Sequence, residues 1–352
     1  MKKNLTVLIM FLLVGLTING GCAENGLTPA RDEAINLNVS TWGPPDLPIS
    51  MVNEEWADMI EEQSGHRVKF TFYWNQSLVN AGDTWKAIQT GVADIGYFVI
   101  GFGEDPTLHV LNTFTGLPFI GWQDMQMATD IYHKILLEFP ELETEFKGTK
   151  LLWICSMPPN QIHTVNREVR IPADYKGIKV LTSSSLAEIA TNAGAVPITT
   201  TGPPDWEMAL KTGLADSLMV HWSAVSGYGL IPLFKYHTNF GDAGISMGMH
   251  GMWANKKVWD ELPKDIQDII LSNSTWIEER YISIDETEIV KAVDEAKSLG
   301  HTFSNLTEDE LEMWKSTAES VTQKWMERVE DMGLPARAVY DEVNRLIKEY
   351  KK

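Results

Sequence analysis

Aromatic and amide side chains stand at the ends of predicted strands and in the loops that follow them. They are Trp42, Trp74, Asn75, Gln76, Gln161, His163, His221 and Trp222. A loop Trp beside amides suits a ligand cleft, because its ring offers a flat apolar wall and its indole offers one N–H donor. The alternative role of each Trp is to close the end of a hydrophobic core. The pattern therefore predicts a small-molecule site without naming the molecule.

A second candidate site is the run KGIKVLTSSSLA at residues 176–187, where a strand leads into Ser183, Ser184 and Ser185. Hydroxyls and backbone N–H groups at a helix start can cap the helix, hold an anion or expose a nucleophile. Helix capping is the ordinary role of serine at such a position.

Motifs for metal or cofactor binding are missing from the sequence. The eight histidines form no i, i+4 pair, no Cys-x-x-Cys occurs, and neither a dinucleotide fingerprint nor a phosphate-binding loop is found. Cys155 lies in an apolar run, where a thiol is ordinarily structural. We therefore expect no enzyme, no metal and no cofactor, with an exported hydrolase on the serine turn as the rival.

The amino terminus has the plan of a secretory signal peptide, which we place at residues 1–22. Two lysines precede an apolar stretch from Leu5 to Ile18, and small residues follow. Gly20-Gly21-Cys22 is similar to a lipobox with Cys22 as the lipid-bearing residue, whereas Gly21-Cys22-Ala23 fits ordinary cleavage. The predicted location is therefore periplasmic or extracytoplasmic, with or without a membrane tether through a lipid on Cys22.

The charge balance is strongly acidic, with a formal net charge of −19. Removal of the two signal-peptide lysines makes it −21, which argues against nucleic acid as a partner. Only Cys155 then remains in the mature chain, so no internal disulfide is expected.

Strand and helix patterns alternate along the first two hundred residues. Predicted strands cover residues 36–42, 68–74, 93–100, 150–156, 178–181 and 195–200, and predicted helices cover 50–65, 83–91, 122–139 and 186–194. Beyond Pro263, helical periodicity continues to Gly300 without Pro or Gly. A continuous helix of that length would measure about 54 Å, so it must cross two lobes or kink. An α/β protein with mostly parallel sheet is expected.

Three stretches together resemble the DctP-type solute receptors of tripartite ATP-independent periplasmic (TRAP) transporters. They are FYWNQSLVNAGDTWKAIQTGVADIGY (72–97), the segment from IPADYKGIKVL to ADSLMVHW (171–222), and the pair WANKKVWDELPKDIQDII (253–270) and LTEDELEMWKSTAESVTQKW (306–325). The resemblance covers nearly all of the mature chain in one consistent order.

The resemblance implies a two-lobed fold of the periplasmic-binding-protein type, with a hinge and a long helix that spans both lobes. Lobe I would comprise residues 36–158 and 247–286, and lobe II residues 159–246 and 287–352. Such a receptor binds a small-molecule solute by lobe closure and delivers it to TRAP membrane permease subunits. A binding protein that serves a sensor is the alternative role.

One departure from the family pattern bears on the ligand. Where the family has K-I-R, this chain has Lys179-Val180-Leu181, so Leu181 stands where most members carry an arginine that pairs with a substrate carboxylate. One hypothesis is a neutral, amphipathic or cationic solute held by Trp walls and amides. The other is a carboxylate or sulfonate held at the Ser183–Ser185 helix start, with His163 or His221 assisting.

Overall fold

The computed structural model describes residues 34–102, 109–182, 184–198 and 202–351, without the side chains of Ser184 and Ser185. Within these ranges the strands are β1 Ile35–Ser40, β2 Val68–Tyr73, β3 Ile95–Val99, β4 Thr149–Ser156, β5 Gln161–Thr164, β6 Lys179–Leu181, β7 Val196–Ile198, β8 Ser217–Val220, β9 Tyr236–Asn239, β10 Met249–Asn255 and β11 Thr302–Asn305. The helices are α1 Pro48–Gln63, α2 Thr84–Thr90, α3 Met125–Glu138, α4 Pro140–Thr144, α5 Ser184–Asn192, α6 Trp206–Lys211, α7 Trp222–Gly227, α8 Lys256–Glu261, α9 Lys264–Ser272, α10 Ser274–Ser298, α11 Glu308–Asp331 and α12 Ala336–Tyr350.

The strands form two sheets, and each sheet with its packed helices makes one lobe. The first lobe holds the order β2-β1-β3-β10-β4, and the second lobe holds β11-β9-β5-β8-β6-β7. The expected α/β class with two lobes is confirmed. Both sheets are mixed, however, because β10 and β5 each run antiparallel to both neighbours. The expectation of mostly parallel sheet missed these two strands, because the residues of a strand carry no sign of its direction.

The β-α-β pattern of the first lobe follows from helical spacing and from its end signals. Val52, Trp56 and Ile60 lie four residues apart and are completely buried on α1. Gly91 ends α2 in the left-handed conformation, with φ of 76°. Asp83 is the N-cap residue of α2 but makes no side-chain capping bond. Asn80 caps the preceding 3₁₀ turn instead.

The long helix expected beyond Pro263 is interrupted at Asn273, where α9 ends and α10 begins. The Asn273 side chain donates to the Ile269 carbonyl at 2.8 Å and so satisfies an acceptor at the break. The remaining helix α10 still has 25 residues. Its early residue Tyr281 belongs to the core of the first lobe, and its late residue Ala292 belongs to the second. This helix therefore joins both lobes.

Helix α11 crosses back in the opposite direction. Trp314 near its start packs in the second lobe, whereas Trp325 near its end packs in the first. The final helix α12 then buries Val339 and Val343 in the core of the first lobe. The sequence-based boundary placed residues 287–352 in lobe II, but α12 packs against α3 of the first lobe because α11 carries the chain back.

Within the described part of the chain, no helix is long and apolar enough to cross a bilayer.

Candidate functional site

A cavity of about 390 Å³ lies between the two sheets. The chain reaches it just beyond the carboxyl ends of β1, β3, β6 and β8, through Trp42, Ile100, Thr182 and His221. In open α/β folds, ligands bind at this edge of the sheet because strand ends and helix starts meet there. Helix α10 also contributes to the lining, so the cleft is built from both lobes and from the helix that joins them.

Aromatic rings line the first-lobe side of the cleft. Trp42 stands edge-on to Tyr97, with ring centroids 5.6 Å apart, and Phe102 lies 4.6 Å from Trp42. The Trp42 indole N–H donates to Thr84 Oγ1 at 3.0 Å. This donor is therefore already used, and Trp42 offers a ligand its ring and not its N–H group.

A second aromatic pair lines the opposite side. Trp206 at the start of α6 stands edge-on to Tyr228, with ring centroids 5.7 Å apart, and both line the cavity. Rings on two facing walls suit a flat or amphipathic solute, because each wall contributes apolar contact without a charge.

The charged groups that line the cleft are mostly acidic: Glu188, Asp285, Glu288 and Arg328. Glu188 pairs with Lys324 at 2.6 Å, and Glu288 pairs with Lys291 at 2.7 Å. The undescribed internal residues, 103–108, 183 and 199–201, contain no Lys, Arg or His. Arg328 is exposed and is the one arginine or lysine among the described lining residues.

Asp285 differs from the other acidic residues of the cleft. Its side chain is buried, with 3% of the residue exposed, and its Oδ1 has no hydrogen-bond partner among the described residues. Burial raises the pKa of this carboxyl to about 7, a hydrogen bond with Ser223 lowers it, and the charge of Glu288 raises it. Near neutral pH the group is therefore balanced between its protonated and ionised forms.

His221 lines the cleft as the N-cap residue of α7, and its Nδ1 accepts from the Ala224 N–H at 3.2 Å. Burial lowers the pKa of His221 to about 4. The ring is therefore neutral at physiological pH, and it cannot supply the positive charge that the anion hypothesis asked of it.

His163 and Gln161 were predicted to contact ligand, but neither lines the cavity. His163 is fully buried, with Nε2 3.1 Å from the Val220 carbonyl and Nδ1 2.8 Å from His237 Nδ1. Burial lowers the pKa of His163 to about 3. The Gln161 amide donates to the Gly241 carbonyl and accepts from the Phe240 N–H. Both side chains are held by internal hydrogen bonds, because β5 is covered on both faces.

Leu181 and Trp222 also face the interior. Leu181 is fully buried in an apolar cluster with Leu218 and Val225. Trp222 stacks on Phe303 with ring centroids 5.7 Å apart. Neither residue lines the cavity. The residue after Leu181, Thr182, does so.

Trp74, Asn75 and Gln76 form the turn that follows β2. Asn75 and Gln76 have positive φ angles of 53° and 59°, and their N–H groups donate to the carbonyls of Gly43 and Thr41. Trp74 stacks on Phe72 with centroids 4.7 Å apart. The three residues do not line the cavity. This turn instead braces the loop that carries Trp42.

Only some of the remaining predicted positions lie among the described residues. Cys22 and Ser183 lie outside the described residues, and Ser184 is the first residue of α5. Among the residues that the structure does describe, no group of three or more His, Cys, Asp or Glu is placed to hold a metal ion.

Several cleft residues were not predicted: Tyr97, Phe102, Trp206, Tyr228, Asp285, Glu288 and Arg328. Asp285 had a usable signal, because it follows Ile277 and Tyr281 at intervals of four on the buried stripe of α10. A carboxyl on an apolar helix face needs a hydrogen-bond donor or an opposite charge to compensate for its burial. The aromatic residues had no such local signal, since they come together from distant segments.

Comparisons with known proteins agree with a two-lobed fold that has a ligand cleft. Residues 39–328 match the model of bacterial extracellular solute-binding protein, family 7 (DctP). A TRAP solute-binding protein of Rhodoferax ferrireducens with copurified benzoate is 21% identical, with a TM-score of 0.82 over 90% of this chain and 99% of that chain.

Two further structures are similar. A marine metagenome TRAP protein specific for aromatic acid ligands, in complex with 3-hydroxybenzoate, is 20% identical, with a TM-score of 0.83 over 91% of this chain and 99% of that chain. A Bordetella pertussis extracytoplasmic solute receptor binding pyroglutamic acid is 19% identical, with a TM-score of 0.76 over 90% and 100%. At these identities the likeness establishes the fold.

Proposed function

The chain belongs to the bacterial extracellular solute-binding proteins, family 7, and we propose that it is the extracytoplasmic solute receptor of a TRAP transporter. It captures one small organic solute in the cleft between its lobes and passes it to the membrane permease subunits. The observation that carries this proposal is the cavity itself, which is lined from both lobes and by the helix that joins them. Closure of two lobes around a ligand needs such a shared lining.

The solute is not held as a simple carboxylate through the family arginine, because Leu181 fills that position. Similar structures contain benzoate, 3-hydroxybenzoate and pyroglutamic acid. The described lining of this chain has three acidic residues and one arginine. A carboxylate or sulfonate remains the second candidate, because the exposed Arg328 and the start of α5 could hold an anion.

Catalysis is not part of the proposed function. Burial raises the pKa of the Cys155 thiol well above its ordinary value, which keeps it in the unreactive thiol form. The alternative, an exported hydrolase, would use the serine turn at residues 183–185. It would form product from ester or amide substrates and lose that activity in Ser183→Ala and Ser184→Ala variants.

A ligand screen tests the receptor proposal. Thermal unfolding of the mature chain is followed with amines, alcohols, neutral aromatics, carboxylates and sulfonates, and each hit is titrated by calorimetry. A receptor shows saturable stabilisation with one site per chain and no product. Stabilisation by none of these classes, or formation of a product, would contradict the proposal.

Export and anchoring are proposed from the sequence pattern alone. Mass spectrometry of the protein from its native host measures the amino terminus. A mature chain that begins at a lipid-bearing Cys22 supports the tether. An unmodified amino terminus after Cys22 or Ala23 supports ordinary cleavage.

A further inference from the structure

Asp285 is the one acidic residue of the described cleft lining without a cationic partner. Glu188 and Glu288 are held by lysines, whereas Asp285 Oδ1 has no hydrogen-bond partner among the described residues and is part of the cavity lining. A buried carboxyl oxygen ordinarily finds a donor, because an unsatisfied one has lost its hydrogen bonds to water without replacement. A bound molecule can therefore supply the hydrogen-bond donor that Oδ1 lacks.

Among the described basic residues of α10 and of the cleft lining, none is placed to take that position. The three on α10, Arg280, Lys291 and Lys297, pair with Glu55, Glu288 and Asp294. Arg328 belongs to another helix, α11, and is exposed. A cation that enters the cleft with the solute would thus meet no competitor from α10.

The other titratable groups that face Asp285 are neutral or acidic. They are Tyr97 on β3, Cys155 on β4, His221 behind Ser223 on α7, and Tyr281 and Glu288 on α10 itself. Burial raises the pKa of Tyr97 well above its ordinary value, and the charge of Asp285 raises it further. Asp285 and the aromatic wall are therefore close enough to act on the same part of a ligand.

We propose that the solute carries a cationic nitrogen, which donates to Asp285 Oδ1 while the rings of Trp42, Tyr97, Trp206 and Tyr228 enclose its organic part. This inference rests on the proposed receptor function and adds the class of substrate. An ammonium group supplies the donor that Oδ1 lacks, and aromatic faces stabilise a desolvated cation. The hypothesis of a neutral, amphipathic or cationic solute is thereby narrowed to an organic cation.

Binding of such a cation has a proton consequence. The ionised carboxylate is the form that pairs with ammonium, so a protonated Asp285 must release its proton to solvent when the solute binds. The affinity should therefore increase from pH 5.5 to pH 8. Calorimetry in two buffers of different ionisation enthalpy should detect proton release at pH 6 and much less at pH 8.5.

Two matched series test the proposal. The first comprises phenethylamine, phenethyl alcohol and phenylacetate, and the second comprises butylamine, butanol and butyrate. Within each series the size is similar and the charge changes. Binding to the mature chain is measured by calorimetry with wild type, Asp285→Asn, and Glu286→Gln, an exposed neighbour on the same helix that serves as the matched control.

We expect the amine of at least one series to bind about tenfold or more tightly than its alcohol and carboxylate. Asp285→Asn should weaken that binding by about 100-fold, abolish proton release and leave the alcohol within about threefold. Glu286→Gln should change none of these values. Asn has nearly the shape of Asp. Thermal unfolding of the variant, with and without an alcohol or carboxylate that binds it, verifies that it is folded.

Two results overturn the inference in different ways. Tight binding of a carboxylate or alcohol that Asp285→Asn leaves unchanged removes the cation site but keeps the receptor function. Absence of binding by both series and by every compound of the wider screen contradicts the receptor function itself.

Discussion

Two carboxyls of α10 are buried one above the other along the helix, and their surroundings separate their roles. Glu278 Oε1 accepts from the Ile154 N–H at 3.0 Å, and Oε2 lies 3.0 Å from His133 Nε2. Both oxygens of Glu278 are therefore satisfied, which marks a structural residue. Asp285, two turns further on, has one oxygen without a partner and faces the cleft.

The pKa of Asp285 leads to a prediction about stability. A folded-state pKa of about 7 exceeds the ordinary value of about 4. The stability that depends on protonation is thus complete below pH 4 and is lost as pH rises through 7. Asp285→Asn should unfold at nearly the wild-type free energy at pH 4 and should be more stable by on the order of 2–4 kcal/mol at pH 8.

Chemical unfolding of both proteins at the two pH values measures this difference. Equal stability of wild type and variant at pH 8 would show that the buried carboxyl is solvated well enough to ionise freely.

Burial of four histidines gives the stability a pH dependence opposite to that of Asp285. His163, His221, His237 and His250 have pKa values lowered by burial to about 3, 4, 2 and 3. Because the Val220 carbonyl can only accept, His163 donates from Nε2 and its Nδ1 accepts from His237. A third ring, His301, continues the chain at 3.0 Å from His237. Each ring is held in its neutral form.

These histidines predict acid sensitivity. Their lowered pKa means that stability is complete above pH 6.5 and is lost as pH falls, by up to about 1.4 kcal/mol per pH unit for each residue. His163→Gln keeps a donor and an acceptor without a titrating ring. Urea unfolding between pH 6.5 and 5 should therefore give a shallower loss of stability for His163→Gln than for wild type. His66→Gln, at an exposed position, is the control and should keep the wild-type slope.

At the scale of the elements, a leucine links the start of α1 to α7 across the cleft. Leu47 is buried, and a Cβ added at Gly227 would lie 2.7 Å from its Cδ2. A Cβ added at Gly43 would lie 2.7 Å from its Cδ1. The two glycines thus leave room for Leu47 at the point where the lobes meet.

This contact predicts a coupling between two substitutions. Gly227→Ala forces Leu47 to shift and should weaken ligand binding by about 3- to 10-fold, as measured by calorimetry with any solute that the screen identifies. Leu47→Ala removes the clash, so adding Gly227→Ala to that variant should cost little more. Gly82→Ala is the control, since the added Cβ meets nothing closer than 3.4 Å. Strict additivity of the two effects would contradict the proposed contact.

At the scale of the whole molecule, the described chain crosses between the lobes along two long helices and returns to the lobe that contains β1. Helix α10 leads from the first lobe to the second, and α11 returns. Helix α12 then buries Val339, Val343 and Ile347 against the first lobe. The buried face of α12 is therefore part of the core of the first lobe.

Truncation tests this arrangement. A chain that ends at Gly333 loses the apolar face of α12, and each buried aliphatic side chain contributes about 1.5–3 kcal/mol. We expect a lower melting temperature and faster hydrogen exchange in α3, with β5 and β8 less affected. A chain that ends at Tyr350 is the control. Faster exchange confined to the second lobe would contradict the assignment of α12.

The sequence by itself determined several elements and the family of this protein. Helical spacing placed α1 within two residues of its ends, and a capping box of Thr307 and Glu310 begins α11. These features depend on neighbours within one or two turns, so a local pattern contains them. The order of three motif stretches then identified the receptor family, which the family match confirms.

The tertiary structure decided which polar and aromatic side chains share the cleft. Alternation along a strand states which residues share a face, but it does not state what covers that face. His163 and Gln161 lie under further structure, whereas Tyr97 and Trp206 reach the cavity from opposite lobes. Asp285 had a local signal in its helical stripe, yet its missing partner depends on contacts with β3, β4 and α7. Such contacts exist only after the chain has folded, and they set the charge that this cleft offers to its solute.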